Sequence, residues 1–263
     1  MKKVAVLIPS YQPKEYIDRC LSSLENQTLS KEKYCIYIAL NGQKDPYEKY
    51  IKSIIEKMNS TCRYLYIKEA GVSNARNRLL DYSTEDYVVF VDDDDVVSEN
   101  YLENLLEISS ESYMGISNIV NFRREINDFT ENYMGKLFIN LSDVEVSKFK
   151  IRKYFSSPCA KIIHRKMIKD YKFDIKLKNG EDGLFMAMIS KNILGTCKTS
   201  KDTYYYVFER AESASRIKRS LSDRFTAFSY LSKKYTRLLI TTGYDKVFIL
   251  TRLAATLRYV LKR

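Results

Sequence analysis

The sequence predicts an α/β fold built on a parallel sheet, and three observations carry that expectation. Short apolar runs alternate with amphipathic stretches at the spacing of βαβ units over roughly the first hundred residues. One run, residues 87–91, passes without a break into Asp92, Asp93, Asp94 and Asp95. It reads as a buried strand with a polar cluster at its C-terminal end. With 263 residues, 45% of them hydrophobic, the chain can bury a sizeable core, which excludes a disordered segment.

In chain order, residues 2–9 form a first buried strand. Residues 13–27 follow as a helix with Ile17, Leu21 and Leu24 on one face. A second strand over 34–40 stops at the turn dipeptide Asn41-Gly42. Pro46 opens a helix over 46–58, and 63–68 is a third strand. Glu69-Ala70-Gly71 turns into a helix over 73–82 with Ser73 as its N-cap. The 87–91 strand and its aspartates precede a helix over 99–108. Beyond Met114 the pattern loosens. It gives one strand over 115–123, an irregular stretch over 125–149, and a short strand with the start of a helix within 158–168. Asn179-Gly180-Glu181-Asp182 turns into an apolar helix over 183–190, followed by a strand over 203–208 and helix from about 220.

Five cysteines (Cys20, Cys35, Cys62, Cys159, Cys197) are odd in number and never form a C-x-x-C pair, and His164 is the only histidine. A disulfide framework, a zinc site and a Ser–His–Asp mechanism are thereby disfavoured. A reducing, cytoplasmic compartment fits best. The apolar run at 4–8, stopped by Pro9, is too short for a signal peptide, and no stretch approaches the length of a membrane span. Of the net charge of +11, residues 216–263 hold +10, twelve Lys and Arg against Asp223 and Asp245. A basic tail on a nearly neutral body points to an anionic surface, a membrane leaflet or a nucleic acid.

Read locally, the four aspartates have two explanations. In open α/β sheets ligands bind beyond the C-terminal strand ends. Adjacent carboxylates repel unless a cation neutralises them, and Mg²⁺ or Mn²⁺ takes such oxygen ligands together with substrate phosphates. A solvated acidic turn capping a helix is the alternative. By topology the ends of the first four strands converge. They bring together Tyr11 for stacking, Asn41 for a base, Arg76 for base or phosphate, and the aspartates for metal, a set suited to a nucleotide diphosphate.

At these residues the chain resembles family 2 glycosyltransferases of the GT-A fold. The matching pieces come in the family's order across residues 4–216: VLIPSYQPKEYIDRCLSSLENQT, EAGVSNARNRLL, FVDDDD, NGEDGLF and ERAESASR. The resemblance implies a mixed sheet flanked by helices, with a nucleotide-sugar-binding half over 1–113, an acceptor-binding half over 114–215 and a basic helical extension over 216–263. It places Pro9, Ser10 and Tyr11 in the base pocket, and Arg76 on the nucleotide. Asp92 falls nearer the ribose, with Asp93 beside it in the donor site, and Asp94 falls on the metal, Mn²⁺ or Mg²⁺. Asp93 and Asp95 offer the same spacing one residue on. Asn41 stands where the family usually carries an Asp that recognises uracil, a departure that weakens the case for a UDP-sugar. Asp182 matches the catalytic base with Glu181 beside it, and Arg210, Ser213 and Ser215 match the segment that closes over the diphosphate. The implied reaction is an inverting, metal-dependent transfer of a hexose or N-acetylhexosamine from a nucleotide-sugar, a UDP-sugar foremost, to a saccharide, lipid-linked as in surface polysaccharide synthesis.

Residues 246–263 read as an amphipathic helix. Leu250, Leu253, Ala254, Leu257, Val260 and Leu261 lie on one side and Arg252, Arg258, Lys262 and Arg263 on the other. That pattern suits the inner face of the cell membrane, or docking on the catalytic domain. Three other functions compete. A nucleotidyltransferase would need a Gly-rich basic loop after the first strand, which IPSYQPKEY lacks. A nucleic-acid binder would need a basic body. A non-catalytic nucleotide-sugar or anionic-surface binder would not need Asp92, Asp94 and Asp182 together.

Overall fold

Uninterrupted β-branched and aromatic runs build the first half of the molecule. In the structure, a computed structural model describing residues 2–210 and 220–261, β1 (Val4–Ser10) is buried at every residue. Helix α1 (Tyr16–Glu25) turns Tyr16, Ile17, Cys20, Leu21 and Leu24 inward. β2 (Tyr34–Asn41) is again buried throughout, followed by α2 (Tyr47–Ile55), β3 (Cys62–Ile67), α3 (Val72–Tyr82) and β4 (Tyr87–Phe90). Strands covered on both faces read as continuous apolar runs, as the sequence led us to expect. The order β3-β2-β1-β4 is parallel throughout. α3 begins one residue earlier than expected. Gly71 is its N-cap, and Ser73 lies inside the first turn with its Oγ unpaired among the described residues. The reason is Asn41, whose Oδ1 accepts from Gly71 N at 2.8 Å and so fixes where the helix starts.

The second half is mixed. After β5 (Val96–Val97) and α4 (Tyr101–Ile108), the single strand expected over 115–123 is two. β6 (Tyr113–Ile116) joins the main sheet and β7 (Asn118–Phe122) a second sheet. The chain changes sheets at the fully buried Ser117, whose N–H donates to Ala160 O at 3.2 Å. The stretch without a clear sequence pattern holds β8 (Thr130–Glu131), α5 (Tyr133–Asn140) and β9 (Val144–Glu145). Next come β10 (Lys161–His164), α6 (Arg165–Ile168), α7 (Glu181–Ile189), β11 (Gly195–Lys198) and β12 (Tyr204–Phe208). The eight-stranded order is β3-β2-β1-β4-β10-β6-β11-β9, and β5-β12-β7-β8 form the smaller sheet. β10 runs antiparallel to β4, with His164 opposite Tyr87 and Ile162 opposite Val89. Its first residues therefore lie at the aspartate end of β4. The imidazole of His164 caps α6 by accepting from Lys166 N, a structural duty.

Two helices close the described chain, α8 (Leu221–Ile240) and α9 (Lys246–Leu261). Both pack on α7. α9 docks through Phe248 and Ile249, both almost completely buried, with the Phe248 ring 5.0 Å from that of Phe155. Of the residues grouped as its apolar side, Leu253 packs on the core, whereas Leu250 is 50% and Leu257 47% exposed, and Ala254 is exposed as well. Arg252, grouped with the solvent side, is turned toward the body, where its Nη1 donates to Arg152 O at 2.9 Å. Two large aromatic surfaces and a carbonyl partner outweigh a weaker leucine stripe. All five cysteines are free. No helix among the described residues is long and apolar enough to cross a membrane.

Candidate active site

The site is built on the C-terminal ends of β1, β2 and β4. Register places Leu7 opposite Phe90, so the last residues of β1 run beside the aspartate loop. Of the three residues expected to line a base pocket, Pro9 and Ser10 are buried and only Tyr11 presents surface, at 53% exposure. Its ring lies on Gly42. A Cβ there would come within 2.9 Å of Tyr11 Cε2, and the φ of +89° also requires glycine. Asn41 is 2% exposed, with Nδ2 donating to Ser10 O at 2.7 Å and Oδ1 accepting from Gly71. Its amide therefore ties the ends of β1 and β2 to the start of α3 instead of facing a ligand.

The four aspartates alternate in use. Asp93 accepts from Ser10 Oγ at 2.6 Å and Asp95 from Phe208 N at 2.9 Å, both inside the fold. Burial pushes the Asp93 carboxyl up to about 7 and that of Asp95 well up. Asp92 and Asp94 carry ion pairs instead: Asp92 Oδ1 with Arg76 Nη2 at 3.0 Å, and Asp94 Oδ2 with Arg210 Nε at 2.9 Å. The Asp92 side chain is the most open of the four, at 41%. Burial and the neighbouring Asp92 raise the Asp94 carboxyl to about 6, although Arg210 opposes the shift. The repulsion read from the sequence is thus met partly by the chain's own guanidinium groups. Among the described residues no three His, Cys, Asp or Glu side chains converge as a ready-made metal cage.

Arg76, expected on the nucleotide, is buried between two carboxylates. Its Nη1 donates to Asp182 Oδ1 at 2.5 Å while Nη2 holds Asp92. The guanidinium also lies 5.4 Å from the centroid of Phe173, which stacks on Phe185 of α7 at 3.9 Å. Asp182 sits in the first turn of α7 beside Glu181. Its carboxyl is raised to about 6, first by burial and then by Glu181 and Asp92, against the pull of Arg76 and Lys161. Glu181 has one buried oxygen, Oε2, without a hydrogen-bond partner among the described residues. Gly180, at φ +84°, admits the turn into α7, and a Cβ there would meet Leu231 of α8 at 2.8 Å.

Arg210 reaches across from the end of β12, its Nη1 donating to Tyr16 Oη at 2.9 Å. Ser213 and Ser215 lie outside the described residues. The structure adds two residues that sequence reasoning missed. Tyr16 seats Arg210. Lys161, 1% exposed at the start of β10, donates to Ser157 O at 2.6 Å and to Cys159 O. Burial lowers the Lys161 ammonium to about 8. A lysine heading the apolar run AKIIH was the available signal. Beside Asp92, between β10, β12 and the start of α5, a cavity of about 270 Å³ opens, with Tyr133, Lys153, Ser156 and Lys161 in its lining.

A family model described as glycosyl transferase family 2 matches residues 5–172, and the chain belongs to that family. It is similar to the minor teichoic acid biosynthesis protein GgaB of Bacillus subtilis (strain 168), 28% identical over 226 residues, which are 84% of this chain and 25% of GgaB. It therefore spans about a quarter of that relative. It is also similar to the poly(ribitol-phosphate) beta-N-acetylglucosaminyltransferase TarP of Staphylococcus aureus (strain N315), 26% identical over 244 residues, 89% of this chain and 72% of TarP. Among solved structures, S. aureus TarS 1–349 in complex with UDP-GlcNAc superposes with a TM-score of 0.77 at 22% identity, covering 98% of this chain and 72% of that one. This likeness bears out the expected fold, a mixed sheet flanked by helices.

Removing the buried guanidinium leaves Asp182 and Asp92 without their counter-charge. Arg76→Met is expected to lower unfolding free energy by about 3–5 kcal/mol at pH 7.5 in urea titrations. The loss should shrink at pH 5, where a carboxyl raised to about 6 is largely protonated and asks for no partner.

Proposed function

We propose that this chain is an inverting glycosyltransferase that moves a sugar from a nucleotide-diphosphate donor, a UDP-sugar foremost, to a hydroxyl of a saccharide or polyol-phosphate acceptor in cell-surface polymer synthesis. The observation that carries this reading is Arg76, whose buried guanidinium joins the donor-side Asp92 to Asp182. Family membership, the fold shared with TarS bound to UDP-GlcNAc and the acceptor named for TarP support it.

Asp182 is the base. Its desolvated carboxylate takes the proton of the acceptor hydroxyl as that oxygen bonds to the anomeric carbon, while the bond to the donor phosphate breaks. A carboxyl at about 6 is ionised at neutral pH yet basic enough to accept that proton. Tyr11 offers its exposed face to the base, and Asp92 faces the ribose. Asp94 fits a hard divalent cation: it is a carboxylate oxygen donor in an anionic cluster whose ion-pair partner is a single guanidinium. When bound there with the donor's diphosphate, Mn²⁺ or Mg²⁺ would offset the charge that builds on the leaving group. Arg210, with Ser213 and Ser215 following it in the sequence, would close on that diphosphate.

The tail adds a location. Val247, Leu250, Ala254 and Leu257 recur on the outward face of α9, and the surrounding segment carries most of the net charge. That combination suits an anionic bilayer at the cytoplasmic side, where a lipid-linked acceptor would be met, each Lys or Arg contributing about 1 kcal/mol.

Asp182→Asn should lower transfer by about 10²–10⁴-fold with nucleotide affinity unchanged. In the wild type, kcat/KM should fall about tenfold per pH unit below about 6 and be flat above it, as expected when a base must be ionised. A variant transferring at the wild-type rate would remove Asp182 from the role. Separately, the protein should float with anionic vesicles and not with neutral ones, and Leu250→Glu with Leu257→Glu should abolish flotation.

A further inference from the structure

The cavity lining holds Asp92 and Asp95 together with Lys153 and Lys161. A further cation reaches its edge from a distant part of the chain. Lys153 lines the cavity with its Nζ 5.2 Å from the ring centroid of Tyr133, a residue 59% exposed at the opening. Arg252, sent in by α9, donates through Nη1 to the cavity-lining Ser156 Oγ at 3.1 Å as well as to Arg152 O. Its Nη2 lies over Gly183, 3.5 Å from where a Cβ would stand, and so next to the turn carrying Glu181 and Asp182. Among the described residues its Nε makes no hydrogen bond and no carboxylate lies within ion-pair distance of Arg252. Burial raises the Tyr133 hydroxyl, and the positive charges of Arg252 and Arg152 oppose that shift. A guanidinium held by neutral oxygens at a cavity edge keeps its charge available to an anion.

Resting on the transferase reading above, we infer that Arg252 and Lys153 recognise a phosphate of the acceptor, so that the C-terminal helix forms part of the acceptor site. The phosphate could belong to a phosphodiester polymer or to a lipid diphosphate. Either would lay its charge on this edge while its sugar or polyol hydroxyl reaches Asp182. Arg152 reinforces the same edge. The interaction is ionic and sits at an opening to solvent, so salt weakens it.

The test is calorimetry on the full chain saturated with the nucleotide diphosphate, using three probes: a lipid-free ribitol-phosphate oligomer, free ribitol, and a short-chain lipid diphosphate saccharide. The oligomer, the lipid diphosphate or both should bind, with affinity falling as NaCl rises, and ribitol should not. Whichever binds identifies the source of the phosphate. Arg252→Gln combined with Lys153→Gln should weaken that binding at least about tenfold while nucleotide affinity stays unchanged, and Arg252→Lys should retain most of it. Equal binding of the phosphate probe by the wild type and the charge-neutral variant would overturn the inference. So would an equal loss in Arg252→Gln and Arg252→Lys, which would make Arg252 a packing residue. A wild type that binds no nucleotide would instead overturn the transferase reading.

Discussion

Arg76 donates to Asp92 at the end of β4 and to Asp182 at the start of α7, two residues ninety positions apart. The rest of the site depends on this bridge. Five aspartates crowd one sheet edge, and in a poorly solvated setting each either finds a cation or gives up its charge. The chain uses both solutions. Asp92, Asp94 and Asp182 are ion-paired, whereas Asp93 and Asp95 turn inward with raised carboxyls.

Packing holds the bridge rigid. Phe173 lies under Arg76 and stacks on Phe185, and Phe90 of β4 meets both rings edge-on. The two halves of the chain are thus joined by an aromatic cluster below and an ion-pair chain above. The C-terminal helices extend the same scaffold. Leu231 of α8 sits where a side chain at Gly180 would go, and Phe248 of α9 meets Phe155. What looked like an appendage therefore supports the turn that presents Asp182.

The first half was legible because β1, β2 and β4 are buried throughout and α1 turns a clean apolar stripe inward, so one-dimensional pattern and three-dimensional environment coincide. The second half was less so. The change of sheets at Ser117 depends on the distant Ala160 carbonyl, which no local period encodes. The pattern of α9 left open which side docks: Phe248, Ile249 and Arg252 turn to the body while Leu250 and Leu257 face outward, a choice set by Phe155 and the Arg152 carbonyl from elsewhere in the chain. The candidate site was legible as a set of residue types and only partly as an arrangement. Asp182 and Asp92 are brought together by Arg76. Asn41 and Arg76, read as ligand contacts, turn their polar atoms to the protein itself. The four aspartates could not be told apart by spacing, since alternation along the loop is set by Ser10 and Phe208 from other strands.

On the reading proposed above, this sheet edge holds a nucleotide diphosphate together with a divalent cation. The direct measurement is thermal unfolding with UDP, GDP, CMP and dTDP, each with and without Mn²⁺. One nucleoside diphosphate, UDP by this account, should stabilise the fold only when metal is present, by about 2.7 kcal/mol at a hundred times its Kd. Unfolding unchanged by every nucleotide, with metal and without it, would contradict the account.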